Sequence, residues 1–69
     1  MIIYGLNPVR EALRAGRVRE LRIAGTSSRV ADLERLASRA GVPVRRVPAA
    51  ALARTTSGGS HQGVTAEVD

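Results

Sequence analysis

At 69 residues the chain is one small domain, since domains typically take about 100–200 residues, and a composition of 43% hydrophobic and 25% charged residues is that of an ordinary globular protein, not a disordered or collagen-like one. The absence of cysteine excludes a disulfide scaffold, a thiolate nucleophile and a cysteine-based zinc site, and the apolar runs fall far short of the roughly 20 residues that span a bilayer. Eleven basic residues, every one an arginine, stand against six acidic ones for a net charge of +5, and because guanidinium grips phosphate bidentately this excess predicts a polyanionic partner.

Met1-Ile2-Ile3-Tyr4 lacks the basic leader of a signal peptide and runs straight into a helix-start signal. Over Asn7-Pro8 to Gly16, Asn7 suits the N-cap, Pro8 the first helical position and Gly16 the left-handed stop. Val9, Ala12 and Leu13 fall on one face between them. Arg19 to Ala24 alternates as a strand, with Leu21 and Ile23 on one side and Glu20 and Arg22 on the other. Thr26-Ser27-Ser28 offers N-caps for a second helix, whose stripe of Val30, Leu33, Leu36, Ala37 and Ala40 ends at Gly41. Val42 to Val47 reads as a strand with Pro43 near its start, where a missing N–H is tolerated. Ala49 to Arg54 is a helical turn or two held by Leu52, Thr55 to Gly63 a long loop, and Val64, Ala66 and Val68 mark a final strand.

This order contains two β-α-β units and predicts an α/β fold: a mostly parallel sheet with right-handed crossovers and helices on both faces. Because the chain stops at Asp69 directly after a strand, residues 1–69 are expected to be a fragment of a longer protein.

Catalytic chemistry is poorly supplied. The one histidine, His61, adjoins Ser60, and neighbours on an extended segment point apart, so a Ser60–His61–Asp69 triad is not expected. A lone histidine and scattered carboxylates provide neither metal-ligand spacing nor an acid/base pair. Gly58-Gly59 and Gly63 precede a strand, whereas phosphate-cradling glycines open a helix. They read as a turn, or as an exposed loop whose His61-Gln62 reaches an RNA base edge or phosphate. Asn7 either caps its helix or presents an amide to nucleic acid. Arg10, Arg14 and Arg17, spaced by four and three, are expected to share one face, with Arg45, Arg46 and Arg54 as a second group. Contact of at least one group with a polyanion is expected. With Tyr4 the sole aromatic residue, a base-stacking platform is not.

Ile3-Tyr4-Gly5-Leu6-Asn7-Pro8-Val9-Arg10-Glu11-Ala12-Leu13 and Ser57-Gly58-Gly59-Ser60-His61-Gln62-Gly63-Val64-Thr65-Ala66-Glu67-Val68, with the elements between them, resemble the amino-terminal substrate-binding domain of SpoU/TrmH-type RNA 2′-O-ribose methyltransferases. The resemblance implies a three-layer α/β/α sandwich similar to small ribosomal proteins that bind kinked RNA. Those proteins carry a similar Gly-x-Asn at an RNA-contacting helix, matched here by Gly5 and Asn7, but usually continue with Glu where this chain has Pro8. It further implies that the chain is not itself an enzyme. A knotted catalytic domain elsewhere in the parent would bind S-adenosylmethionine, and the parent would be a cytoplasmic homodimer acting on structured RNA, 23S rRNA guanosine first and transfer RNA or an antibiotic-resistance rRNA site as alternatives, with no membrane association. The alternatives are a stand-alone RNA-binding protein of ribosomal type and a dimerisation module without RNA affinity.

Overall fold

The computed structural model describes residues 1–59 and 61–69; Ser60, within the glycine-rich motif, lies outside the described residues. Four strands and three helices follow in the order β1 (Ile2–Tyr4), α1 (Leu6–Arg14), β2 (Val18–Ile23), α2 (Ser28–Arg39), β3 (Val44–Arg46), α3 (Ala49–Thr55) and β4 (Val64–Val68). None of the helices is long and apolar enough to cross a membrane.

The strands lie side by side as β1-β4-β2-β3. Only β2 and β3 pair in parallel, while β4 runs antiparallel to both β1 and β2. The expected mostly parallel sheet is therefore a mixed one. β2-α2-β3 is a β-α-β unit of adjacent strands and β1-α1-β2 one whose parallel strands are split by β4; the unit expected across α3 does not form, because the chain after α3 crosses back to insert β4 at the centre with reversed direction. β1, β2 and β3 still point the same way, so all three end at one edge, where β4 begins.

Ile3, Ala66, Leu21 and Val44 form one row across the sheet, and Tyr4, Thr65, Arg22 and Arg45 form the next. Successive residues of a strand face opposite sides, so the first row meets the main core and the second faces away. α1 and α2 cover the first side with Leu6, Val9, Leu13, Val30, Leu33 and Ala37. α3 packs on β2 and buries Leu52 outside that cluster, which completes the α/β/α layering. A bulge at Arg19 shifts the register between Val18 and Glu20. It turns Val18 as well as Leu21 into the core, a spacing of three that a regular strand forbids.

α1 starts two residues earlier than its sequence signals predict. Gly5 is the N-cap with φ +96°, and no side-chain cap comes from a neighbouring residue, so Asn7 is the second helical residue and Pro8 the third. Pro8 sits comfortably there because first-turn N–H groups have no intrahelical acceptor. α2 follows expectation: Ser27 Oγ accepts the Val30 N–H at 3.2 Å.

Candidate functional site

The edge at which the three co-directional strands end is the part of the molecule richest in positioned polar groups. Its geometry begins with the cap that α1 does not provide for itself. Gln62, from the loop before β4, places Oε1 2.9 Å from the Leu6 nitrogen and accepts its N–H. Gln62 itself holds a left-handed backbone at φ +55°, a conformation that costs a non-glycine residue on the order of 1 kcal/mol and gathers at functional sites. Gly5 suits the position beneath it, because its φ of +96° strains any side-chain-bearing residue and a Cβ there would stand 3.2 Å from that same Oε1, crowding it. The Gly5 N–H donates to the Val64 carbonyl at 3.3 Å, and the Val9 N–H to the Gly5 carbonyl at 3.2 Å.

The first turn of α1 is thereby almost fully accounted for. Leu6 is capped, Pro8 has no N–H and Val9 is bonded, which leaves the Asn7 backbone N–H without an acceptor among the described residues. The exposed Asn7 side chain also makes no hydrogen bond within them. His61 Nδ1 accepts the Gly63 N–H at 2.9 Å, so in the neutral ring the proton sits on Nε2 and remains available as a donor. Arg29, exposed in the first turn of α2, begins at the same edge and has no ion-pair partner there. Arg46 steadies the edge from below: it donates to the Gly25 carbonyl at 2.7 Å and meets Glu34 of α2 at 3.3 Å. Among the described residues, His61 and Asp69 are not brought together. Asp69 lies beyond the far end of β4, about 17 Å of strand from His61, and pairs with Arg19 at 3.4 Å.

Five of the eleven arginines take part in ion pairs; Arg10, Arg17, Arg29, Arg39, Arg45 and Arg54 have none among the described residues. Arg10 and Arg14 share a face as expected. They line a cleft of about 380 Å³ between α1 and α2, opposite Arg35 and Arg39, over Leu33 and Leu36. Arg17 does not join them, because the left-handed turn at Gly16 (φ +71°) sends the chain away. It flanks a separate cleft of about 300 Å³ beside Met1, Ile3 and Val68. Arg45 and Arg46, adjacent on β3, diverge to opposite faces, with Arg45 exposed in the row of Arg22 and Arg46 turned to α2. Arg54 is exposed in the last turn of α3. Arg29, Arg35 and Arg39 are absent from the sequence-based candidates; the i,i+4 spacing of the last two is visible in the sequence, but not the packing that sets them across from Arg10 and Arg14.

These features define a small α/β/α domain with a donor-rich edge and a basic flank. The model of the family described as RNA 2′-O ribose methyltransferase substrate binding matches residues 2–69, and the chain belongs to that family. Among solved structures, the archaeal translation termination factor aRF1 is similar over 99% of this chain, with a TM-score of 0.74 and 25% identity. The chain spans 20% of the aRF1 chain. No curated protein matches it.

Proposed function

We propose that this domain recognises structured RNA, 23S ribosomal RNA in particular, and holds it for ribose 2′-O-methylation by a separate catalytic domain of a longer, cytoplasmic, homodimeric parent of the SpoU/TrmH type. The observation that carries this reading is the edge where Gln62 caps α1. That contact leaves the Asn7 amide and backbone N–H, the His61 Nε2–H and the Arg29 guanidinium at one end of the sheet. All are donors, and an RNA backbone offers phosphate, ribose and 2′-hydroxyl oxygens as acceptors. Crevices outside the carboxyl ends of co-directional strands are where open α/β sheets commonly take ligands, and the positive end of the α1 dipole adds to the attraction.

S-adenosylmethionine does not fit these residues. The larger cleft is walled by four arginines, which repel a sulfonium, and the smaller one has no aromatic side chain to receive an adenine. On this reading methyl transfer belongs to the separate domain, and this one contributes affinity and placement, raising the effective concentration of the target ribose.

The test is titration of the chain with a labelled 23S rRNA fragment and with an unrelated structured RNA, across salt concentrations. Asn7→Ala removes a side chain that bonds nothing within the described residues and inserts a stronger helix former. It is expected to weaken the preferred RNA by about tenfold, the worth of one lost hydrogen bond, with an unchanged or slightly higher melting temperature. Unaltered affinity would remove the edge from the interface. No binding by the wild type at low salt would overturn RNA recognition in favour of a dimerising module.

A further inference from the structure

We infer that the cleft between α1 and α2 is a second RNA-binding surface, a track that holds a single strand by its phosphates at a place distinct from the donor-rich edge; the inference rests on the RNA-binding reading above. Arg10 and Arg14 form one wall and Arg35 and Arg39 the other. Each wall carries two guanidiniums four residues apart, about 6 Å along a helix axis, close to the step between neighbouring phosphates of a nucleic-acid strand. α1 and α2 both start at the edge where β1 and β2 end. The four arginines belong to the later turns of the two helices, so the track leads away from that edge.

The charge balance of the cleft calls for an anion. Asp32 is the one carboxylate among its lining residues. It pairs with Arg35, while Arg14 reaches Glu11 only at 3.9 Å, both in exposed pairs, and Arg10 and Arg39 have no carboxylate partner among the described residues. Like charges four apart on a helix destabilise it, and here two such pairs confront each other. Complementing the helix dipoles would explain Arg14 and Arg39, which stand in the last turns. It does not explain Arg10 or the facing of the two pairs, because the dipole effect fades within one turn.

The cleft's chemistry selects the backbone over the bases. Its apolar floor is Leu33 and Leu36, aliphatic side chains that provide no stacking surface, so binding there is electrostatic and indifferent to sequence. Guanidinium forks match phosphate oxygens, and phosphates repeat along a strand as the arginines repeat along each helix.

The experiment measures binding of the chain to an unstructured oligouridine and to polyglutamate, each over a salt series, for wild type, Arg10→Ala/Arg39→Ala and Asn7→Ala. The arginine pair makes no ion pair among the described residues, so circular dichroism should stay unchanged and the melting temperature unchanged or slightly higher as like-charge repulsion is relieved. The double variant is expected to bind oligouridine about tenfold more weakly and to flatten the slope of log affinity against log salt by about 1.4, since each lost phosphate contact on a single strand is worth about 0.7. Asn7→Ala should keep the wild-type slope. A double variant indistinguishable from wild type on oligouridine would overturn the track while leaving edge recognition intact. Polyglutamate binding as tight as oligouridine would overturn it in favour of an acidic protein partner. Failure of the wild type to bind any RNA would overturn both readings together.

Discussion

Gly63 seats its α-carbon against the carbonyl of Ala24: a Cβ there would lie 2.9 Å from the carbonyl oxygen and 3.2 Å from Val30 Cγ2. The Gly63 carbonyl in turn accepts the Ala24 N–H at 2.9 Å, and its φ is +86°. This contact locks the start of β4 to the end of β2 and to α2, and it fixes the residue before it, Gln62, where its side chain meets α1. Gly63→Ala is expected to cost about 2–3 kcal/mol, combining roughly 1–2 kcal/mol for a left-handed alanine with displacement of a backbone carbonyl. At about 4–8 °C per kcal/mol for a domain of this size, the melting temperature should fall by about 8–24 °C. Gly25→Ala is the control, since φ is +81° but a Cβ would meet nothing within 4 Å. It should show about half to two thirds of that drop, and equal melting of the two variants would show that the close approach to Ala24 is immaterial.

What the sequence makes legible is local. The stripes of α1 and α2, the Ser27 cap and the alternation in β2 and β4 follow from periods of 3.6 and 2, with two exceptions: Ala40, expected in the α2 stripe, is its exposed C-cap, and Thr65, opposite Val64 and Ala66 in the alternation, is buried as they are. β1 escapes because Ile2–Tyr4 is three residues long with only the half-buried Ile3 turned to the core, and its partner β4 lies some sixty positions on. Alternation in Val64–Val68 reveals which residues face the core but not which way the strand runs, so the mixed sheet is invisible until β1 and β2 are seen on either side of it. The same limit applies to the site. His61 and Gln62 stand out by composition, yet the cap that Gln62 places on Leu6 spans 56 positions. Asn7 looks like a cap and is not one, because a more distant side chain already fills that role.

Arg45 and Arg46 separate a structural arginine from a free one on a single strand. Arg46 holds the Gly25 carbonyl and Glu34, whereas Arg45 is exposed and makes no ion pair among the described residues. Arg46→Ala should lower stability by about 1 kcal/mol, a charged hydrogen bond discounted for its exposure. Arg45→Ala should leave stability within about 0.5 kcal/mol of wild type, as surface substitutions do. Urea denaturation of both variants at matched salt decides it. Equal midpoints would mean that Arg46 does not hold the β2–α2 turn.

Thr65 presents the opposite case, a polar group with nothing to hold. It is fully buried at the centre of the sheet, in the row of Tyr4 and Arg22, and its Oγ1 has no hydrogen-bond partner among the described residues. A buried hydroxyl without a partner costs about 1–3 kcal/mol in desolvation, whereas an apolar group of the same shape avoids that cost. Valine replaces the hydroxyl with a methyl on the same branched frame and favours strands equally well. Thr65→Val is therefore expected to stabilise the domain by about 1 kcal/mol and raise its melting temperature by roughly 4–8 °C. RNA affinity should not change, because the substituted atom is fully buried, on the side of the sheet turned away from the main core. A fall in the melting temperature would show that Oγ1 has a partner in solution after all, and that this row of the sheet is polar by requirement.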